Sequence, residues 1–175
     1  SLVGSEMCIR DRKKTLWLAR DRFGEKPLYY NYDTTYGFIF ASELRAFSYF
    51  PNFKNQICQN ALSQYLRYGY VPEPLSIFKK TYKLEPGYII KFDKKNQIFK
   101  KDYWNSIKSF VKAKKNKFKG TFEDAKEDVK RHIDYSIRNR LVSDVPLGIF
   151  LSGGIDSSHI VLSIYRQKLN PNTFS

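Results

Sequence analysis

The segment from Leu147 to Tyr165 constrains this chain more than any other. A nearly all-apolar run of strand length, Leu147-Gly148-Ile149-Phe150-Leu151, passes directly into Ser152-Gly153-Gly154-Ile155-Asp156-Ser157-Ser158 and then into the helical pattern of His159 to Tyr165. An apolar run this short predicts a strand buried on both faces, as in a parallel sheet. The glycine pair permits a tight turn and lets the backbone approach a ligand closely. The helix start offers unpaired N–H groups and the positive end of its dipole, and Ser152, Ser157 and Ser158 add hydroxyl donors. Strand, glycine turn and helix in this order make an anion-binding arrangement, and a phosphate chain suits the donors. It differs from the Walker loop, because Gly148 and Gly153 have that motif's spacing but Gly154 stands where lysine is required. Asp156 puts a carboxylate beside the expected phosphates. That is repulsive unless a cation lies between them, so Asp156 is the candidate Mg²⁺ ligand. The plainer alternative, in which Asp156 only caps the helix and the glycines only turn the chain, is weakened by the apolar strand before it.

Composition excludes several classes. The chain has 175 residues, 42% of them hydrophobic, which suits one globular domain or parts of two rather than disorder. No apolar run approaches the roughly 18 residues of a membrane span, and no secretory signal is evident, so a soluble, cytoplasmic protein without a membrane partner is expected. Cys8 and Cys58 are far apart, and the histidines are His132 and His159, so neither a disulfide framework nor a zinc site is encoded. The net charge is +14, and between Lys79 and Lys119 there are 14 lysines against Glu85, Asp93 and Asp102. That segment contains no arginine, the residue favoured for bidentate phosphate and base contacts, so a solvated segment is preferred over a nucleic-acid grip.

Thr15 to Arg20, Pro27 to Tyr32 and Tyr36 to Ala41 read as strands, most simply as an antiparallel meander turning at Gly24 and Gly37. A short helix follows from Glu43 to Phe50, and another from Gln59 to Tyr68. Tyr88 to Phe92 and Gln97 to Trp104 are further strands. Asn105 to Gly120 shifts to Lys, Ser and Asn and reads as a linker. Thr121 can cap a helix with Asp124 at its third position, and Phe122, Ala125, Val129, Ile133, Ile137 and Leu141 recur at three- and four-residue steps. His132 lies off that stripe and is expected to be solvated; His159 is expected to pack on the following helix. Cys58 reads as an ordinary small apolar residue. Asn172 to Ser175 resembles the start of another parallel strand.

Ser152 to Ser158 resembles the S-G-G-x-D-S pyrophosphate signature of the ATP pyrophosphatases, which include asparagine, GMP and argininosuccinate synthetases. The segment Leu18-Ala19-Arg20-Asp21-Arg22-Phe23-Gly24-Glu25-Lys26-Pro27-Leu28 looks like the R-D-x-x-G-x-x-P-L element of class II glutamine amidotransferases. Phe40 to Ala46, Gly69 to Pro72, Leu84 to Gly87 and Ser143 to Gly148 follow in compatible order. Together they resemble glutamine-hydrolysing asparagine synthetases from about Thr15 to Ser175.

The resemblance implies a mixed α+β and α/β chain. Residues 13–104 would be the C-terminal part of a glutaminase (glutamine amidotransferase type 2) domain of the N-terminal-nucleophile-hydrolase fold, built on antiparallel sheets. Residues 105–120 would be a Lys-rich linker. Residues 121–175 would begin an α/β parallel-sheet synthetase domain like the adenine-nucleotide hydrolases. Ser152, Gly153, Gly154, Asp156, Ser157 and Ser158 would bind ATP and pyrophosphate, the Leu151 backbone would lie at an adenine-contacting position, and Asp156 would ligate Mg²⁺. Glutamine, aspartate and ATP are the implied substrates, and a homodimer is compatible with the family. Arg20, Asp21 and Gly24 are expected to support the glutamine pocket rather than react.

The family's nucleophile is an N-terminal cysteine. Met7-Cys8 imitates that start but stands too close to Arg20, so no catalytic residue is assigned. Residues 1–12 are expected to be a non-native leader, and the chain an internal fragment that alone neither hydrolyses glutamine nor makes asparagine. The leading reading is asparagine synthesis. An amidotransferase with another acceptor, such as a surface-polysaccharide sugar or a β-lactam precursor, is second, and a basic nucleic-acid module third.

Overall fold

The computed structural model describes residues 5–10, 14–93, 95–167, 169 and 172–175. They form two compact units that divide between Lys115 and Asn116.

The first unit holds two antiparallel sheets. One has the strand order β1-β2-β6-β7, from Ser5–Arg10 (β1), Thr15–Arg20 (β2), Tyr88–Phe92 (β6) and Ile98–Asp102 (β7). The other has the order β4-β3-β5, from Tyr29–Asp33 (β3), Gly37–Ala41 (β4) and Thr81–Lys83 (β5). The expected three-strand meander therefore does not form. β3 and β4 make the hairpin, but β2 pairs with β6, Leu18 standing opposite Ile90, and joins a different sheet from β3. The cause lies in the intervening turn, where the Arg20 side chain grips the backbone and carries the chain away from its preceding strand. β1, which lies within the expected non-native leader of residues 1–12, pairs along its length with β2.

Leu18, Leu28, Tyr30, Leu84 and Ile90 form the buried cluster, with Leu16, Phe38, Phe40 and Tyr88 packed against it. Leu18 and Ile90 come from one sheet and Tyr30 from the other, Leu28 and Leu84 flank β3 and β5, and Phe38 stacks on Phe92 at 4.7 Å between ring centres. Burying a side chain such as Leu18 or Ile90 contributes about 2 kcal/mol each, so this cluster is the unit's principal stabilising feature.

The expected short helical stretch is a 3-10 helix, Leu44–Tyr49, without a side-chain cap. It buries Phe47, which packs on Phe53. Helix α1 occupies Gln59–Tyr68, as expected, and stops at Gly69, whose φ of 76° supplies the left-handed cap. A further helix, α2 (Ser106–Lys115), stands in the segment that composition made a linker. Asn105 Oδ1 accepts from the Lys108 N–H at 3.0 Å and caps it. Lysine and alanine are good helix formers, so a Lys-rich composition did not exclude a helix here.

The second unit contains α3 (Phe122–Arg138), β8 (Gly148–Phe150), α4 (Ile155–Arg166) and β9 (Asn172–Phe174). α3 begins with the expected capping box: Thr121 Oγ1 accepts from the Asp124 N–H at 3.2 Å, and Asp124 Oδ2 accepts from the Thr121 N–H at 2.9 Å. β8 and β9 are parallel, with Gly148 opposite Asn172, as the apolar run and the last four residues suggested. Burial on both faces is not observed, since Phe150 is 88% exposed. Among the described residues β8 has one strand neighbour, and no second layer covers Phe150. The side chains of Asp134 and Ser163 hydrogen-bond between α3 and α4, and Gln167 Nε2 donates to the Asp134 carbonyl at 3.4 Å. Ser163 and Ile164 are the buried residues of α4.

Candidate functional site

The glycine turn sits at the C-terminal end of β8. The Leu151 N–H donates to the Phe174 carbonyl at 2.7 Å, which prolongs the parallel pairing by one residue and fixes where the turn starts. Gly153 then takes φ +76°, a conformation costly for residues with a Cβ, and a Cβ built there meets no atom within 4 Å. Glycine is thus demanded by the dihedral, while the space in front of it stays open.

Gly154 is extended and is the N-cap of α4, without a side-chain cap. The N-terminal N–H groups of the helix are therefore left for a ligand or water. Ser152 Oγ and Ser157 Oγ approach to 3.1 Å, and Ser157 Oγ donates to the Gly154 carbonyl at 3.1 Å. Two hydroxyls from opposite ends of the turn therefore meet beside Gly154. The Ser158 N–H is already used, donating to the Gly154 carbonyl at 3.0 Å. Asp156 is exposed and is the acidic residue of the first turn of α4. The fold thus gathers Leu151, Ser152, Gly153, Gly154, Asp156, Ser157 and Ser158 into one exposed turn. His159 follows, half-buried, with Nε2 lacking a hydrogen-bond partner among the described residues. His132 is 73% exposed and lies 3.9 Å from Asp128, which fits a solvated residue.

No group of three or more His, Cys, Asp or Glu side chains among the described residues is arranged to hold a metal ion. The donor set that fits a cation here is one carboxylate supplemented by phosphate oxygens, the habit of Mg²⁺.

The other motif, in the first unit, is built as support. Arg20 is 5% exposed. Its guanidinium donates to Glu73 Oε1 at 2.6 Å and to the carbonyls of Leu84 at 2.6 Å, Lys26 at 2.9 Å and Gly24 at 3.0 Å. One side chain therefore ties together the end of β2, the following turn and the approach to β6. A Cβ on Gly24 would lie 2.7 Å from Arg20 Nη2 and 2.9 Å from Pro86, so glycine is needed for space as well as for its φ of +68°. Asp21 Oδ2 accepts from the N–H groups of Phe23 at 3.1 Å and Glu25 at 3.0 Å, closing the turn. Burial pushes the Asp21 carboxyl upward, but the N–H groups of Glu25, Phe23, Lys26 and Gly24 outweigh it and hold its pKa below the ordinary value. Asp21 Oδ1 is buried without a hydrogen-bond partner among the described residues.

Sequence reasoning found Arg20 but missed Glu73, its ionic partner 53 residues onward. It also missed Asp134 as the residue holding α4 to α3. No local pattern announces either, since both partnerships exist only after folding. Cys8 lies on β1, and its side chain is outside the described residues; Cys58 is a free, half-buried thiol at the start of α1. No helix among the described residues is long and apolar enough to cross a membrane.

Comparison with known families gives two adjoining matches. The glutamine amidotransferase domain family matches residues 6–104, and the asparagine synthase family matches residues 128–175. A Methanocaldococcus jannaschii protein bearing an asparagine synthetase [glutamine-hydrolyzing] name is 39% identical over 88% of this chain and 29% of its own length. Asparagine synthetase [glutamine-hydrolyzing] 1 of Bacillus subtilis is 38% identical over 91% of the chain and 24% of its own. Asparagine synthetase [glutamine-hydrolyzing] 3 of the same organism is 32% identical over 86% and 23%. The chain thus spans less than a third of the length of each of these relatives.

Proposed function

This chain belongs to the glutamine amidotransferase domain family, and on that premise we propose that it is part of a glutamine-hydrolysing asparagine synthetase whose ATP and pyrophosphate contacts lie in the turn from Leu151 to Ser158. The similarity to proteins named as such enzymes supports the overall reading. The observation that carries the site is the open Gly153: left-handed, with free space before it, flanked by the paired hydroxyls of Ser152 and Ser157 at the start of a helix.

In this reading an oxygen of the aspartate side-chain carboxylate attacks the α-phosphorus of ATP, the bond to the β-phosphate breaks, and pyrophosphate leaves. Ammonia released from glutamine then attacks the activated acyl carbon and displaces AMP, giving asparagine. The chain's residues have a definite part in this. The N–H groups at the start of α4 and the hydroxyls of Ser152, Ser157 and Ser158 bind the departing pyrophosphate, stabilising charge that grows as the bond breaks. Asp156 would hold Mg²⁺, which when bound would neutralise the phosphate oxygens. Arg20, Asp21 and Gly24 brace the glutaminase side without touching reacting atoms.

Calorimetric titration of the chain with pyrophosphate tests this. Saturable binding that requires Mg²⁺ is expected, weakened about tenfold or more by Asp156→Asn through loss of the ligand carboxylate, and likewise by Gly153→Val, which strains the turn. Binding indifferent to Mg²⁺ and to both substitutions would refute the assignment.

A further inference from the structure

At one end of the β4-β3-β5 sheet lies a polar cleft of about 430 Å³, in the first unit and within the volume range of ligand sites. Its base is ordered. Asn31 is 1% exposed; its Oδ1 accepts from the Tyr36 hydroxyl at 2.9 Å, and its Nδ2 donates to Thr81 Oγ1 at 2.9 Å. An amide nitrogen carries two hydrogens, and the second has no acceptor among the described residues.

Two of the lining segments are paired by backbone bonds, Lys79 N–H to the Gln56 carbonyl at 2.8 Å and Cys58 N–H to the Ile77 carbonyl at 2.8 Å. These bonds hold Lys54 and Lys79 on neighbouring segments. Lys80 sits beside them with φ +59°, an uncommon conformation for a lysine. Uncommon backbone held by its surroundings is a frequent mark of a binding site.

The charges do not balance. Lys54, Lys79 and Lys80 line the cleft against a single carboxylate, Asp33. Lys80 stands 3.8 Å from Asp33, whereas Lys54 and Lys79 make no ion pair among the described residues. The Asp33 carboxylate is engaged by the Thr35 N–H at 2.9 Å. That bond, the Thr35 hydroxyl, and then Lys80 and Lys54 hold its pKa below the ordinary value, so it remains charged at neutral pH. The surplus is two positive charges in a cleft that is also lined by a buried amide donor.

We propose that this cleft binds the phosphate dianion of a small phosphorylated metabolite, with Lys54, Lys79 and Lys80 around the phosphate and the Asn31 amide at its base. Two features favour phosphate over a dicarboxylate. The cationic lining is entirely lysine, which engages phosphate as a point charge, and it lacks the arginine fork that recognises planar carboxylates. The cleft is also much larger than a phosphate group, leaving room for the rest of an ester among Thr35, Tyr36 and Gln56. This site belongs to the first unit and is independent of the turn assigned to pyrophosphate.

Titration of the chain with inorganic phosphate, followed by amide NMR, tests the proposal, with succinate and chloride at matched ionic strength as controls. Saturable shifts are expected at the Asn31 side-chain amide and at Lys79 and Lys80. Lys54→Gln with Lys80→Gln should weaken binding at least tenfold. Both side chains are exposed, so folding should be retained, which the unperturbed remainder of the spectrum verifies. Asp33→Asn, which keeps the acceptor for Thr35 and removes the opposing charge, should tighten binding several-fold, and Gly153→Val should leave it unchanged. Non-saturating shifts, equal response to succinate, binding indifferent to the lysine substitutions, or shifts confined to residues 151–158 would each overturn the proposal. Failure of the pyrophosphate turn would leave these cleft shifts intact, so the two assignments fall separately.

Discussion

Asp21 illustrates how one side chain can set the path of a whole segment. The residue is 3% exposed, its carboxylate accepts two backbone N–H bonds, and its carbonyl accepts two more, from Gly24 at 3.3 Å and Gly87 at 2.9 Å. Hydrogen bonds to a charged acceptor are worth about 1.5–3 kcal/mol each, so removing the charge while keeping the shape, as in Asp21→Asn, should destabilise the first unit by about 1–2 kcal/mol near neutral pH. The pH dependence follows from the depressed folded pKa. The stabilisation is present above the ordinary value of 3.8 and is lost as pH falls through the lower folded value. Urea melts of the parent and the Asn variant should therefore differ clearly at pH 7 and converge in strong acid; an equal gap at both would contradict the role of the charge.

Among the elements, α2 and α3 present the same physics read with different success. α3 was legible because Thr121 and Asp124 form a reciprocal cap at a fixed spacing, visible without any tertiary information. Replacing Thr121 by Ala should cost about 1 kcal/mol, measurable as an earlier loss of helical circular dichroism on heating, with Thr121→Ser restoring it. In α2 the periodic residues Ile107, Phe110 and Val111 were also present, and all three are exposed. Charge density masked that period and made the segment look like a tether. β8 erred in the other direction. Its apolar composition suits a covered strand, but cover is a property of neighbours, and Phe150 has none over it among the described residues.

At the scale of the molecule, the two units differ in how their interiors are built. The first has a cluster of five buried apolar residues on its two sheets and the segments flanking them; α4 in the second buries Ser163 and Ile164, and α3 buries no residue. Local stability follows buried contact and protected backbone bonds. Amide exchange read by mass spectrometry should therefore be slowest in β2, β3 and β6 and substantially faster in α3 and α4. Equal protection in both units would mean that the second has stabilising contacts other than those described. Adding Mg²⁺ and pyrophosphate should slow exchange at the start of α4, since ligand binding stabilises the state that binds it.

The sequence by itself determined α1, the capped start of α3, the glycine turn and the parallel partnership of β8 and β9. Each rests on residues close together in the chain or on a side chain that tolerates one backbone conformation, as at Gly153. Tertiary structure alone decided that β2 leaves β3 for β6, that Arg20 reaches Glu73, and that Lys54, Lys79 and Lys80 line one cleft with Asn31. Local signals specify turns and periods, but pairings between distant residues depend on which buried surfaces and polar groups are satisfied together. That joint condition exists only once the chain has closed on itself.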